Sequence, residues 1–205
     1  MRCLSILALC ALATSVVAAE APTVEFDDQR YTLNFADQAT LANGQSGDGI
    51  AEFTLAGETV QDWSKLFAFH AYPEMGDDPI AAVQAVGKAV KENNKDANFA
   101  IVANDKTVEA IIDFLTWAPD SDIMEFNVFK YARAVDGRGL IALQYAQHIK
   151  LGDIDVEGMR ALREHAVEEM ASMSMIDAQK YFADKNARSA AKDDGSSLAR
   201  AGGER

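Results

Sequence analysis

Five polar side chains interrupt otherwise apolar strand sequences and could carry chemistry together. They are His70, Asp113, Asn127, Gln144 and His148. Two imidazoles and a carboxylate are ligand types that bind transition metals, and the two amides add hydrogen-bonding groups for a small polar ligand. Each alternates with apolar neighbours, as Gln144 does between Leu143 and Tyr145. If the strand registers agree, all five lie on one face of a sheet and form a shallow ligand-binding site there.

A plain alternative explains the same alternation. Antiparallel sheets often leave one face solvated, or cover it with a helix that satisfies each polar group. In residues 66–72 the two-residue period places Phe67 and Phe69 on one face and His70 on the other. We therefore expect His70 and His148 on the same side of the sheet, opposite the two phenylalanines. The spacing does not show that the five side chains converge, so the sequence leaves a site and a solvated face both open.

Motifs for covalent, cofactor or metal chemistry are missing from the sequence. GQSG at residues 44–47 is one residue short of the G-x-S-x-G nucleophile elbow, and no glycine-rich phosphate loop occurs. The histidines stand at 70, 148 and 165, too far apart to place two on one helical face. The sequence thus predicts no catalytic residue, no cofactor and no metal, and it favours a non-enzymatic role.

The N-terminus has the pattern of a secretory signal peptide. Arg2 precedes an uncharged apolar run at residues 4–17, and small residues end at Ala19. The run is shorter than the ~20 residues of a membrane-spanning helix. We predict cleavage after Ala19 and a soluble bacterial product that is periplasmic or secreted. Both cysteines, Cys3 and Cys10, lie in this segment, so the mature chain has no thiol and no disulfide.

The charge of the mature chain restricts its partners. Without residues 1–19 it has 18 Lys and Arg against 32 Asp and Glu, a net charge of −14. This acidic surface repels phosphate backbones and anionic lipid headgroups. The charge therefore predicts an unknown protein partner or small ligand, no nucleic acid, and no membrane association after cleavage.

The remaining sequence predicts a single α+β domain over residues 20–183. A hairpin turns at Asp27 and Asp28, and two strands follow at 50–56 and 66–72. A helix starts at Asp78, which is a good N-cap before Pro79. Short turns join four more strands between residues 98 and 150, and a second helix runs from about 155 to 173. Residues 176–183 either continue that helix or form another.

These elements predict an antiparallel β-sheet of about six or seven strands, with a C-terminal four-stranded meander, packed with two main α-helices. Residues 184–205 contain a single large apolar residue and are predicted to be a disordered tail.

The order of elements resembles the PsbP/Mog1-like sandwich. The segments EFTLAGETVQDW, IIDFLTW, EFNVFKYA and LQYAQ are also similar to a recurring pattern in exported bacterial proteins of uncharacterised function, over about residues 50–170. The resemblance implies export and an α+β fold, and it assigns no catalytic residue. The leading interpretation is a non-enzymatic binding module or envelope-associated interaction module. The alternative is an enzyme, dependent on a small ligand or metal, with a polar site on the sheet face formed by His70, Asp113 and His148.

Overall fold

The computed structural model describes residues 20–104, 106, 108–117 and 121–186, which form one antiparallel sheet and three helices. The strands are β1 (Thr23–Phe26), β2 (Gln29–Thr40), β3 (Ser46–Thr54), β4 (Lys65–Tyr72), β5 (Phe99–Asn104), β6 (Glu109–Trp117), β7 (Ile123–Arg133) and β8 (Leu140–Lys150). The helices are α1 (Pro79–Asn93), α2 (Val156–Ser172) and α3 (residues 176–186).

The predicted fold class is wrong in three respects. The sheet has eight strands rather than six or seven, in the order β1-β2-β3-β4-β8-β7-β6-β5. The last four strands are not a separate C-terminal meander, because β8 lies at the centre of the sheet and pairs with both β4 and β7. A third helix, α3, also packs on the sheet. More of the described residues lie in the strands than in the three helices. Burial does not mark the two edge strands as members of the sheet, since β1 has only four residues and β5, although apolar in sequence, is exposed at five of its six positions.

One face of the sheet, called here the α2 face, carries Phe67, Phe69, Phe126 and Leu143, and all four are buried. The rings of Phe26 and Tyr145 lie 4.8 Å apart beside Phe67. Helices α2 and α3 cover this aromatic core through Ala166, Met170, Ala178 and Phe182. Burial of large aromatic side chains on this face is the main contribution to the stability of the sheet.

The opposite face, called the α1 face, is covered only in part. Asp78 caps α1 by accepting a 2.9 Å hydrogen bond from the Ile80 amide, which confirms the predicted start of this helix. The helix packs against β5, β6 and β7, burying Val83 and Val90. Gly87 permits this close approach, since a Cβ atom there would lie 2.7 Å from the ring of Phe99. The β2 positions 35, 37 and 39 on this face remain exposed.

A buried lysine fixes the C-terminal end of α2 to the sheet. Lys130 on β7 is 2% exposed. Its Nζ donates hydrogen bonds to the carbonyl oxygens of Ala171 (3.1 Å) and Met173 (2.8 Å), and it lies 3.3 Å from Oε2 of Glu109. The last carbonyls of a helix lack partners within the helix, and the ammonium group supplies one.

The predicted termini fall mostly beyond the described residues. The signal peptide at 1–19 lies outside them, as do residues 187–205 of the predicted tail, whereas residues 184–186 belong to α3. Helix α2 ends at Ser172 and α3 is separate from it, which resolves the open alternative for residues 176–183. Within the described residues, no helix has the length and apolar character needed to cross a membrane.

Candidate functional site

Three of the predicted site residues form a hydrogen-bonded row across the α1 face. Nε2 of His70 on β4 lies 2.8 Å from Oε1 of Gln144 on β8. The Gln144 amide donates to Oδ1 of Asn127 on β7 at 2.9 Å, and the Asn127 amide donates to Oε1 of Glu125 at 2.9 Å. The predicted association of His70, Gln144 and Asn127 on one face is confirmed.

His148 stands at the far end of this row. Its Nε2 lies 3.6 Å from Oε2 of Glu125, its Nδ1 lies 2.8 Å from the carbonyl oxygen of Trp63, and its ring stacks on the Trp63 indole at 3.8 Å. The strand pairings place His70 and His148 on the same side of the sheet, opposite Phe67 and Phe69, as expected. Three side chains separate the imidazoles along the row, so the pair does not share a metal site. Among the described residues, no group of three or more His, Cys, Asp or Glu side chains is placed to hold a metal.

Burial determines the charge of His70, and its hydrogen bond in the row determines the tautomer. Burial lowers the pKa of His70 to about 4, an effect opposed by the hydrogen bond with Gln144, so the ring is neutral at neutral pH. The Gln144 oxygen only accepts hydrogen bonds, which places the His70 proton on Nε2. The Nδ1 atom therefore presents a lone pair, and it has no hydrogen-bond partner within the described part of the chain.

Asp113 does not join the other four residues. It pairs with Val128, which pairs with Tyr145, and this register places the Asp113 side chain on the α2 face. The expectation that all five residues share one face is therefore wrong for Asp113. Strand β6 is buried on both sides, with Ile112 under α1 and Ile111 on the α2 face, so alternation does not reveal which face the aspartate occupies.

Asp113 instead forms a buried ion pair with Arg163 of α2. The carboxylate is 4% exposed, and its Oδ1 accepts a 2.6 Å hydrogen bond from Nε of Arg163 and forms an ion pair with Nη2. Burial raises the pKa of Asp113, and the charge and hydrogen bonds of Arg163 partly oppose that rise. A buried carboxylate with a shifted pKa and a specific partner is a recognised feature of functional sites.

This ion pair borders a cleft, called here the α2 cleft, which has a volume of about 640 Å³. The C-terminal half of α2 packs tightly through Ala166 and Met170, whereas its first two turns stand further from the sheet and leave Met159 half-buried. The apolar lining of the cleft comes from both walls: Leu115, Met124, Ile154, Met159 and Val167. The lining is mostly apolar, and besides the ion pair it includes Asn98, Asp155, Arg160 and Glu164.

Sequence reasoning missed Arg163, although a signal for it exists. Arg163 lies four residues after Met159 and three before Ala166, so it falls within the apolar stripe of α2. Asp113 likewise interrupts an apolar strand. Two opposite charges that each interrupt an apolar surface are candidates for pairing across the core.

The comparison with known proteins adds one positive finding. A family model matches residues 19–177, which include all eight strands, both longer helices and every residue of the α2 cleft. The chain belongs to an uncharacterised protein family. No curated protein and no solved structure matches the chain. The family match assigns no activity to the chain. The cleft is therefore the feature of this family member that bears on its function.

Proposed function

We propose that this protein is a non-enzymatic binding domain that holds a small amphipathic ligand in the α2 cleft. The observation that carries the proposal is the buried Asp113–Arg163 pair at the side of an apolar space. Small-molecule sites are concave and mostly apolar, with a few polar groups that fix orientation. Their usual volume is about 300–1,000 Å³, and the cleft has about 640 Å³.

The polar pair defines the head group of the ligand. The hydrogen bond from Nε and the ion pair with Nη2 of Arg163 both involve Oδ1 of Asp113, so Oδ2 of the aspartate and Nη1 of the arginine have no partner within the described residues. Oδ2 of Asp113 can accept a hydrogen bond, and Nη1 of Arg163 can donate one. A hydroxyl or amide group satisfies both atoms at once. The net charge of −14 on the mature chain disfavours an anionic head group.

A neutral apolar dye tests the cleft directly. We expect N-phenyl-1-naphthylamine to gain fluorescence on binding the protein, and Met159→Trp to weaken that binding at least ~10-fold because the indole fills the cleft. The matched control is Ala161→Trp on the exposed side of α2, which should bind as the wild type does. Both variants add a tryptophan, so the dye is excited at a wavelength that tryptophan does not absorb. Thermal melts verify that both variants fold. Equal losses in the two variants, or no binding by the wild type, would contradict the proposal.

The enzyme alternative finds no support in the placement of its residues. A site that combines Asp113 with His70 and His148 would have to span the sheet, because Asp113 is on the α2 face and both histidines are on the α1 face. The resemblance to the PsbP/Mog1-like sandwich rests on the order of elements in the sequence, and a solved structure of a family member would test it by superposition.

Export is the second part of the proposal and is supported by the N-terminal sequence. An uncharged apolar run followed by Val17, Ala18 and Ala19 is typical of a cleaved signal. We expect N-terminal sequencing of the protein from the periplasm or medium to begin Glu20-Ala21-Pro22. Recovery of a chain that retains Arg2 in the membrane fraction would show an uncleaved anchor instead.

A further inference from the structure

A second, smaller cavity lies on the α1 face, on the opposite side of the sheet from the α2 cleft. It has a volume of about 190 Å³ and lies among β2, β3 and β4, where α1 does not cover the sheet. Its lining includes Asp37, Asp48, Ile50, His70 and Tyr72. We propose that this cavity binds the ammonium group of a small organic amine.

The His70 ring supplies a hydrogen-bond acceptor at this cavity. His70 is 8% exposed, and its Nε2 is held by Gln144 on the β8 side of the ring. The cavity lies on the β3 side, beside Ile50, which pairs with His70 across the two strands. The low pKa of about 4 keeps the ring neutral, so the lone pair of Nδ1 remains available to a donor. This atom is a polar group with an unmet hydrogen-bonding capacity at the wall of the cavity.

Two carboxylates supply the negative charge. Asp37 and Asp48 are both exposed, and neither has an ion-pair partner among the residues that the structure describes. Burial, followed by the negative charge of Asp48, raises the pKa of Tyr72 to about 12, which places the tyrosine within the field of that carboxylate. The Tyr72 ring stacks on His70 with ring centroids 5.6 Å apart and adds an aromatic wall of the kind that attracts cations.

The acceptor set matches an ammonium group better than a metal ion. A primary ammonium can donate to the imidazole nitrogen while the two carboxylates of the wall supply negative charge nearby, which does not require the three groups to converge on one point as a metal ion would. A transition metal would prefer more nitrogen or sulfur ligands held in a fixed geometry. The small volume limits the amine to a short carbon chain. This inference does not depend on the α2 cleft, because no residue lines both spaces.

The test follows the ring nitrogens of His70 by NMR while propylammonium chloride is added to the ¹⁵N-labelled protein. We expect a saturable shift of the His70 nitrogens and no shift of His165, which lies on the exposed surface of α2. Propan-1-ol has nearly the same size without the charge, and sodium chloride matches the ionic strength. Neither should reproduce the shift. An equal response to either control, or no saturable response to the amine, would overturn the proposal.

Charge-removing variants provide the second measurement. The double variant Asp37→Asn and Asp48→Asn should weaken propylammonium binding at least ~10-fold, because two of three acceptors lose their charge. The control Asp153→Asn removes the same type of charge at an exposed turn elsewhere and should leave binding unchanged. Equal affinities of the double variant and the control would refute the site. Much tighter binding of Nα-acetyl-lysine methylamide than of propylammonium would overturn the small-amine assignment in favour of a lysine side chain of a peptide.

Discussion

Replacing Lys130 with methionine is expected to lower the free energy of unfolding by about 2–4 kcal/mol. Methionine fills a similar volume but donates no hydrogen bond. The carbonyl oxygens of Ala171 and Met173 then lose this donor, and Glu109 loses a cation 3.3 Å from its carboxylate. Hydrogen bonds from a charged group contribute more than neutral ones, and here one buried atom makes two of them and an ion pair.

Urea denaturation of the two proteins measures this loss. The matched control is Lys88→Met, since Lys88 on α1 has a side chain that is 77% exposed and pairs only with Glu92 across one helical turn. We expect that control to stay within about 0.5 kcal/mol of the wild type. Similar midpoints for both variants would mean that the contacts of Lys130 with α2 do not stabilise the fold.

Replacing Arg163 with methionine is expected to cost about 3 kcal/mol at neutral pH, because it leaves the carboxylate of Asp113 buried without its cation. Asp113 is 4% exposed, and Arg163 supplies both the hydrogen bond and the ion pair to its Oδ1. The neighbouring Arg160→Met is the control, since the Arg160 side chain is 62% exposed and pairs with Glu157 on the surface. That surface pair contributes about 0–1 kcal/mol.

The loss in Arg163→Met should depend on pH in a defined direction. Burial already raises the pKa of Asp113, and Arg163 opposes this rise, so the variant raises the pKa further. A carboxyl group whose folded-state pKa is raised favours folding most below its unfolded-state pKa of about 3.9. That contribution is lost as the pH rises through the folded-state pKa.

The loss of unfolding free energy in Arg163→Met is therefore smallest at about pH 4 and largest at about pH 7. Urea denaturation at both pH values measures it, and adding Asp113→Asn should remove the pH dependence. A deficit that is equal at the two pH values would show that Arg163 contributes through packing instead of through its charge.

Local signals in the sequence predicted the two longer helices well. Asp78 and Pro79 mark the start of α1, and Asp155 caps α2 with a 2.8 Å hydrogen bond from the Gly158 amide. These caps act through neighbouring residues, so they can be recognised without the tertiary structure. Whether residues 176–183 continue α2 or form a separate helix depends on tertiary contacts, which local signals do not report. Phe182 packs over Gly49 of β3, where a Cβ atom would lie 2.6 Å from the phenylalanine ring.

The candidate sites show where the two-residue period stops being informative. The period placed His70 and Gln144 correctly, because one side of their strands carries large aromatic residues and the other does not. It failed for Asp113, because helices cover both sides of β6 and the apolar residues on the two sides are alike. The α2 cleft could not be predicted either, since it depends on how far the start of α2 stands from the sheet.

The position of β8 beside β4 has a consequence for how the chain reaches this structure. Six of the seven strand pairings join strands that follow one another in sequence, and only the β4–β8 pairing joins distant segments. Most contacts between strands are therefore of low contact order, which favours rapid formation of each four-stranded half. Pairing of Lys65–Tyr72 with β8 must close a loop over residues 73–139, and its entropic cost grows only with the logarithm of that length. Helix α1, which lies within this loop, shortens the free chain once it forms.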